Sequence, residues 1–211
     1  INAWDNITLA KYAFRFLPDI LVVHNEILKK EAIRHLGMSE EQIFVSGLPH
    51  FDHYAGRKRN SREEFCKRLN INPKKRILLF GSVALVNDTE WQVLYLLDQA
   101  IQKGALPSDL AIVMRHHPVK EMIRGDVSYS NNVIFDDSKT VFESERRYTE
   151  IMTDDMDHLA NSLFHSDIII STCSTLSIDG SAFDTPIIDI AFDGWEERPF
   201  YESVKWYYTP Y

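Results

Sequence analysis

Two short segments hold most of the side chains in this sequence that could act on an anion. The first is Arg115-His116-His117-Pro118, a guanidinium and two imidazoles followed by a proline that turns the chain and presents His117. The second is Ser171-Thr172-Cys173-Ser174-Thr175, a hydroxyl cluster directly after the apolar run Ile168-Ile169-Ile170, with Asp179 one turn beyond Thr175. A strand that ends in small hydroxyl residues and feeds a helix aims unpaired backbone N–H groups, with the helix dipole behind them, at whatever sits above it. The chemistry is that of an anion site, above all a phosphate site. Arg115 with either histidine would neutralise a diphosphate. Thr175 and Asp179, spaced i,i+4, would share a helix face, where a carboxylate can accept two hydroxyls, as from a ribose. Gly81-Ser82 closes another apolar run: the glycine admits close backbone approach and Ser82 can donate to a ligand. Asp136-Asp137 closes a fourth.

Each group also has a plainer use. Ser174 is a good helix N-cap whatever it binds. A histidine before a proline is common in turns, and His116 reads as the packing member of its pair. Asp179 could be solvated or paired with a base. Asp154-Asp155-Met156-Asp157 has metal-like spacing but directly precedes a helical pattern, where aspartates serve as caps, so no metal is expected there. No His/Cys spacing fits zinc, and neither glycine-rich phosphate motif is present. Arg57-Lys58-Arg59 reads as a solvated linker. What joins the stronger segments is that both end strands of one expected sheet.

The elements that must position them are readable. Short apolar, β-branched runs at residues 20–23, 43–45, 77–80, 110–114, 133–135, 168–170 and 187–190 predict strands covered on both faces. Helical stretches alternate with them: 27–36 closed by Gly37, 61–69 opened by the capping box Ser61-x-x-Glu64, 89–104 opened by Thr89-x-x-Gln92 and closed by Gly104, and 158–165 capped by Asp155 or Asp157. This alternation predicts an α/β fold, a doubly wound parallel sheet of Rossmann type. Ligands then bind beyond the carboxyl ends of the strands. The expected organisation is 1–52 as the end of a preceding domain, 53–60 as linker, and 61–211 as the nucleotide-binding domain with its aromatic C-terminal segment. Because the chain opens at Ile1 in what reads as mid-domain sequence, it is expected to be part of a longer protein.

Composition narrows the class. With 23 basic and 31 acidic residues the formal net charge is −8, which argues against a nucleic-acid binder. The apolar share of 45% suits a soluble globular core, and no apolar run reaches membrane-spanning length. Cys66 and Cys173 lie far apart and read as reduced cytoplasmic thiols.

The chain resembles the nucleotide-binding half of a GT-B glycosyltransferase, and more narrowly the CDP-glycerol glycerophosphotransferase group. The resemblance rests on Trp4-Asp5-Asn6, Pro18-Asp19-Ile20, Glu31-Ala32 and Gly37 through Val45-Ser46-Gly47-Leu48-Pro49-His50-Phe51-Asp52, which are similar to the family's crossing between domains. It rests further on Arg115-His116-His117-Pro118, and on His158-Leu159, Ser166-Asp167, the serine cluster, Asp179 and Pro186-Ile187-Ile188. It implies the C-terminal domain of a GT-B fold, with the tail of the N-terminal domain. The implied protein is a transferase using a CDP- or CMP-activated donor to build surface polysaccharide or a teichoic-acid-like polymer, cytoplasmic or at the inner face of the membrane. His117 would stabilise the departing nucleotide phosphate, Ser174 and Thr175 would hold phosphate, and Asp179 would take the ribose-binding position where many relatives have glutamate. Gly81, Ser82, Arg115, Pro118 and Ser171 complete the expected donor site.

No cofactor and no metal is implied. The implied partners are the donor and a saccharide or polymer acceptor, with peripheral membrane contact through a region outside this chain. A catalytic base is expected in the first domain, so this chain alone should bind donor but transfer little. The alternatives are a UDP-sugar transferase or non-hydrolysing 2-epimerase of the same fold, and a catalytically silent nucleotide-binding module. The aromatic segment (Trp195, Phe200, Tyr201, Trp206, Tyr207, Tyr208, Tyr211) is expected to cross back toward the first domain rather than to stack on carbohydrate.

Overall fold

The computed structural model describes residues 16–55, 58–83, 89–117, 123–136, 153–172, 174–199 and 203–204. Backbone contacts divide the chain into two units, 1–57 and 58–211.

In the first unit, β1 (Leu21–Val23) pairs in parallel with β2 (Ile43–Val45). Between them α1 (Glu26–Glu31) starts at Asn25, whose side chain accepts the Leu28 N–H at 2.9 Å. The helix widens into a π-type turn over Ala32–Leu36, and Gly37 ends it at φ 66°, the left-handed conformation for which glycine is suited. Val23, Leu28, Ala32, Met38 and Ile43 form its small core. A 3-10 turn, Pro49–Phe51, runs into α2 (Asp52–Ala55), so the start of the expected 53–60 linker is helical.

The second unit is a five-stranded parallel sheet in the order β5-β4-β3-β6-β7. Its elements are α3 (Arg62–Arg68), β3 (Arg76–Gly81), α4 (Glu90–Gln102), β4 (Leu110–Arg115), β5 (Val133–Asp136), α5 (Thr153–His165), β6 (Ile168–Ser171), α6 (Leu176–Ser181) and β7 (Ile187–Asp189). Two strands lie on one side of β3 and two on the other, the doubly wound order foreseen from the sequence. Side chains alternate across the sheet. Leu78, Phe80, Ile112, Met114 and Ile170 pack with Val93, Leu94 and Ile101 of α4. The opposite face carries Ile77, Leu79, Val113 and Ile169, all fully buried.

Helix starts show where local sequence decides and where it does not. At Ser61 the capping box forms as read: Ser61 Oγ accepts the Glu64 N–H at 3.2 Å and Glu64 accepts the Ser61 N–H at 2.9 Å. At Thr89 it does not. Thr89 Oγ1 donates to the Asp193 carbonyl at 2.9 Å, and Gln92 Oε1 accepts the Trp195 N–H at 2.7 Å. Both side chains that could have closed the box instead tether the segment after β7. Helix α5 begins at Thr153, several residues before the expected start, which puts Asp154 and Asp155 in its first turn rather than at its cap. Residues 59–60 are also tied down, unlike a solvated linker. The Arg59 guanidinium lies 5.4 Å from the Phe183 ring centroid, and Asn60 bonds both Asn161 and His165 of α5.

Candidate functional site

The five strands end in one row. Register pairs Asp136 with Arg115, Arg115 with Gly81, Gly81 with Ser171 and Ser171 with Asp189. This row borders the crevice at the switch point, beyond the carboxyl ends of β3 and β6, where an open parallel sheet takes its ligands.

Most of the row is already engaged within the protein. Arg115 was expected to face a diphosphate, but it is 7% exposed. Its Nη2 donates to Asp155 of α5 at 2.9 Å, and Nη1 stands 3.6 Å from Asp136. Asp136 also accepts the His158 Nε2–H at 2.7 Å. Burial alone would raise the Asp136 carboxyl, but the His158 hydrogen bond and the nearby Arg115 charge hold it below its ordinary value. Ser171 is fully buried, its hydroxyl shared with Ser177 at 3.1 Å and with Asp189 at 3.2 Å. Ser82 was expected to donate to a ligand. Its hydroxyl instead donates to Glu90 of α4 at 2.7 Å, and the same carboxylate accepts the Val83 N–H at 2.7 Å.

Gly81 is also corrected. The space a Cβ would need there is filled by the Leu176 side chain of α6, so the glycine serves helix-to-strand packing rather than ligand approach. Gly81→Val is therefore expected to lower stability by about 1–3 kcal/mol through overpacking. The check is a lower urea midpoint with an unchanged slope.

The remaining expected residues stand as follows. Thr175, not Ser174, is the N-cap of α6, and the Ser174 hydroxyl accepts the Leu176 N–H at 3.2 Å. The Ser177 N–H goes to the Ser174 carbonyl at 3.1 Å, so two amides at this helix start already have acceptors. Thr175 is exposed, whereas Asp179 is 5% exposed, and the Asp179 N–H donates to the Thr175 carbonyl at 3.0 Å, the i,i+4 spacing expected. His117 is half-buried, and burial lowers its imidazole from the usual value of 6.5. At neutral pH it is therefore a neutral ring able to donate one N–H. His116 points to the opposite face, stacked near Phe135 with centroids 6.3 Å apart. Pro118 lies outside the described residues, as do Asp137 and Phe200, Tyr201, Trp206, Tyr207, Tyr208 and Tyr211 of the aromatic segment.

Just past β4, His116 lies over the α4-side residue Phe135, whereas Arg115, the last residue of the strand, faces α5. Sequence reading missed Asp193. This buried carboxylate accepts the Ser203 hydroxyl at 2.6 Å and also bonds the Val204 N–H. It stands on a cavity of about 450 Å³ after β7, beside Trp195, Arg198 and Ser203. Nothing in its sequence context marked it. Among the described residues no group of three or more His, Cys, Asp or Glu side chains could hold a metal ion. Nor is any helix long and apolar enough to cross a membrane.

Residues 16–210 match the family of CDP-Glycerol:Poly(glycerophosphate) glycerophosphotransferase. The chain belongs to this family. No curated protein matches it. Among solved structures, a variant of the wall teichoic acid polymerase TagF aligns with a TM-score of 0.52 at 19% identity, over 83% of this chain and 40% of that one. The same polymerase soaked with CDPG gives 0.51 at 19% identity, over 82% and 39%. A UDP-N-acetylglucosamine 2-epimerase from Rickettsia bellii gives 0.50 at 16% identity, over 82% and 42%. At these identities the likeness speaks for the α/β, GT-B-type fold. The glycerophosphotransferase-family chain spans about two-fifths of the length of the polymerase it matches.

Proposed function

We propose that this chain is the donor-nucleotide-binding part of a glycerophosphate transferase. The intact protein would extend a teichoic-acid-like or other surface polymer from a CDP-activated donor. The observation that carries this reading is the family match across residues 16–210, supported by a half-buried His117 that follows β4, the strand beside β3. In the proposed reaction an acceptor hydroxyl oxygen forms a bond to the β-phosphorus of the donor. The bond from that phosphorus to the bridging oxygen breaks, CMP leaves as an anion, and the hydroxyl proton passes to the catalytic base expected in the first domain. His117 donates an N–H to the departing phosphate, the kind of preorganised charge stabilisation that lowers such barriers. Ser174 and Thr175 hold the same phosphate from the start of α6. The residues that would polarise the phosphate are side-chain donors, so no metal or other cofactor is assigned. The partners are the donor and a saccharide or polyol-phosphate acceptor, not nucleic acid, and the place of action is the inner face of the cytoplasmic membrane. Residues 1–52 are assigned to the end of an acceptor-side domain, with the donor domain following the 53–60 connection.

The test is calorimetric titration of the chain with CMP, CDP, UMP and UDP. Cytidine nucleotides are expected to bind more tightly than their uridine counterparts. A uridine preference would move the reading to UDP-sugar chemistry, the class named for the epimerase that shares the fold. Should neither the chain nor the intact protein bind any of the four, the donor-binding assignment falls.

A further inference from the structure

We propose that Arg115 is a positioning residue for His117 and not itself a contact to the donor phosphate; this rests on the donor-site reading above. Arg115 is the last residue of β4 and His117 follows two positions beyond it, so alternation carried on past the strand would set both on one face. Backbone pairing continues to this point, with the Ser82 N–H donating to the Arg115 carbonyl at 3.0 Å. The guanidinium is held from two directions. Asp155 in the first turn of α5 takes Nη2 at 2.9 Å, and Asp136 at the end of β5 stands 3.6 Å from Nη1. Asp136 is itself fixed by His158, whose Nε2 lies 2.8 and 2.7 Å from its two oxygens. Arg115, Asp136, Asp155 and His158 are all under a tenth exposed. The arrangement clamps the end of β4 to the neighbouring strand and to α5, just before the chain reaches His117.

The charge balance points the same way. One guanidinium faces two carboxylates. A phosphate arriving at Arg115 would meet both at close range in a poorly hydrated place, where like charges repel strongly. Nη1 is buried without a hydrogen-bond partner, yet the nearest charge to it is the Asp136 carboxylate rather than open space. Arg115 is thus better placed to hold a backbone than to meet a second anion. Its planar fork matters as well as its charge, because holding two carboxylates on different elements needs donors in fixed directions.

The experiment is a double-mutant cycle read by CDP titration of the chain: wild type, Asp155→Asn, His117→Ala and the double variant. Positioning predicts that Asp155→Asn weakens binding about 3- to 10-fold when His117 is present and has no effect when it is alanine. If Arg115 contacts the phosphate directly, relieving it of Asp155 tightens binding, which overturns the proposal. An equal loss in both backgrounds would mean a general structural role and overturns it too. Should Asp155→Asn fail to fold, Arg115→Lys replaces it. Lysine keeps the charge and loses the fork, so positioning predicts a His117-dependent loss, whereas a direct charge contact predicts near-normal affinity. Imidazole NMR without nucleotide separates this proposal from the function it rests on. The His117 ring signals and their pH midpoint are expected to move in Asp155→Asn, and unchanged signals reject the positioning role even if CDP binds. If no nucleotide binds to the wild-type chain or to the intact protein, the donor-site reading falls while the ring signals still decide the positioning.

Discussion

Asp136→Ala is expected to destabilise the second unit by about 3–5 kcal/mol, the cost of removing one partner from a buried charged cluster. Asp136 is 4% exposed and stands between the Arg115 guanidinium and the His158 ring. Alanine would leave His158 Nε2 without its acceptor and Nη1 of Arg115 without the carboxylate that offsets its charge. The loss would show as a lower urea midpoint. Asp136→Asn keeps the shape and one acceptor oxygen, so its loss is expected to be smaller. The sign of the pH dependence follows from the lowered carboxyl. Burial opposes that lowering, and the His158 hydrogen bond and Arg115 charge outweigh it. A carboxyl held below its unfolded value contributes stability that is full above that value, 3.8, and is lost as pH falls through the folded one. The gap between wild type and Asp136→Ala is therefore widest near neutrality and closes in acid. Equal midpoints at neutral pH would show that the cluster contributes nothing to the fold.

His117→Ala in the intact protein is expected to cut turnover of a CDP-activated donor about 10²- to 10³-fold, the range for removing one donor to a developing negative charge. The fall belongs mainly in kcat, because the N–H matters most as charge collects on the departing phosphate. In nucleotide titrations of the chain the same change removes a pH-dependent component. Burial holds the His117 imidazole below 6.5, so the ring gains its positive charge only as pH falls below that value. Wild-type affinity for CMP is expected to strengthen between about pH 8 and about pH 5.5 by more than the alanine variant's does. The difference between the two curves removes the nucleotide's own titration. Identical curves and identical turnover would take His117 out of the reaction.

The fold was legible because it depends on pattern. Runs such as Ile77-Leu78-Leu79-Phe80 and Ile168-Ile169-Ile170 are too short for helices and too apolar for exposed strands, and they became the central strands. Their ends were misjudged by one residue, since Gly81, Arg115, Asp136 and Ser171 all belong to strands. A count of apolar residues stops at a polar one. It cannot see that Arg115 and Asp136 are neighbours across the sheet and face each other's charge. The site was less legible for the same reason. Ser82, Arg115 and Ser171 have the chemistry of phosphate ligands, but Glu90, Asp155 and Asp189 reach them first. Gly81 carries the signature of a ligand-approach glycine, and the atom that approaches is the Cδ2 of Leu176. At Thr89 and Gln92 a sound local motif lost to distant partners. His116 fits the packing role read for it, since it lies against Phe135.

The strand order also sets an order of assembly. β3 lies in the middle of the sheet, and the partner on its outer side is supplied late: the Ile77 N–H bonds Asp167, 90 residues further on. A chain leaving the ribosome can join β3, β4 and β5 before β6 exists. During that interval one edge of β3, lined by the buried Leu78, Leu79 and Phe80, has no neighbouring strand. An open apolar edge is a template for pairing with another chain. Closing it requires a non-local contact, which is the slow kind to form. The geometry that creates the crevice at the centre of the sheet therefore also makes the half-built sheet the aggregation-prone stage of biosynthesis, and docking of β6 is the step that ends it.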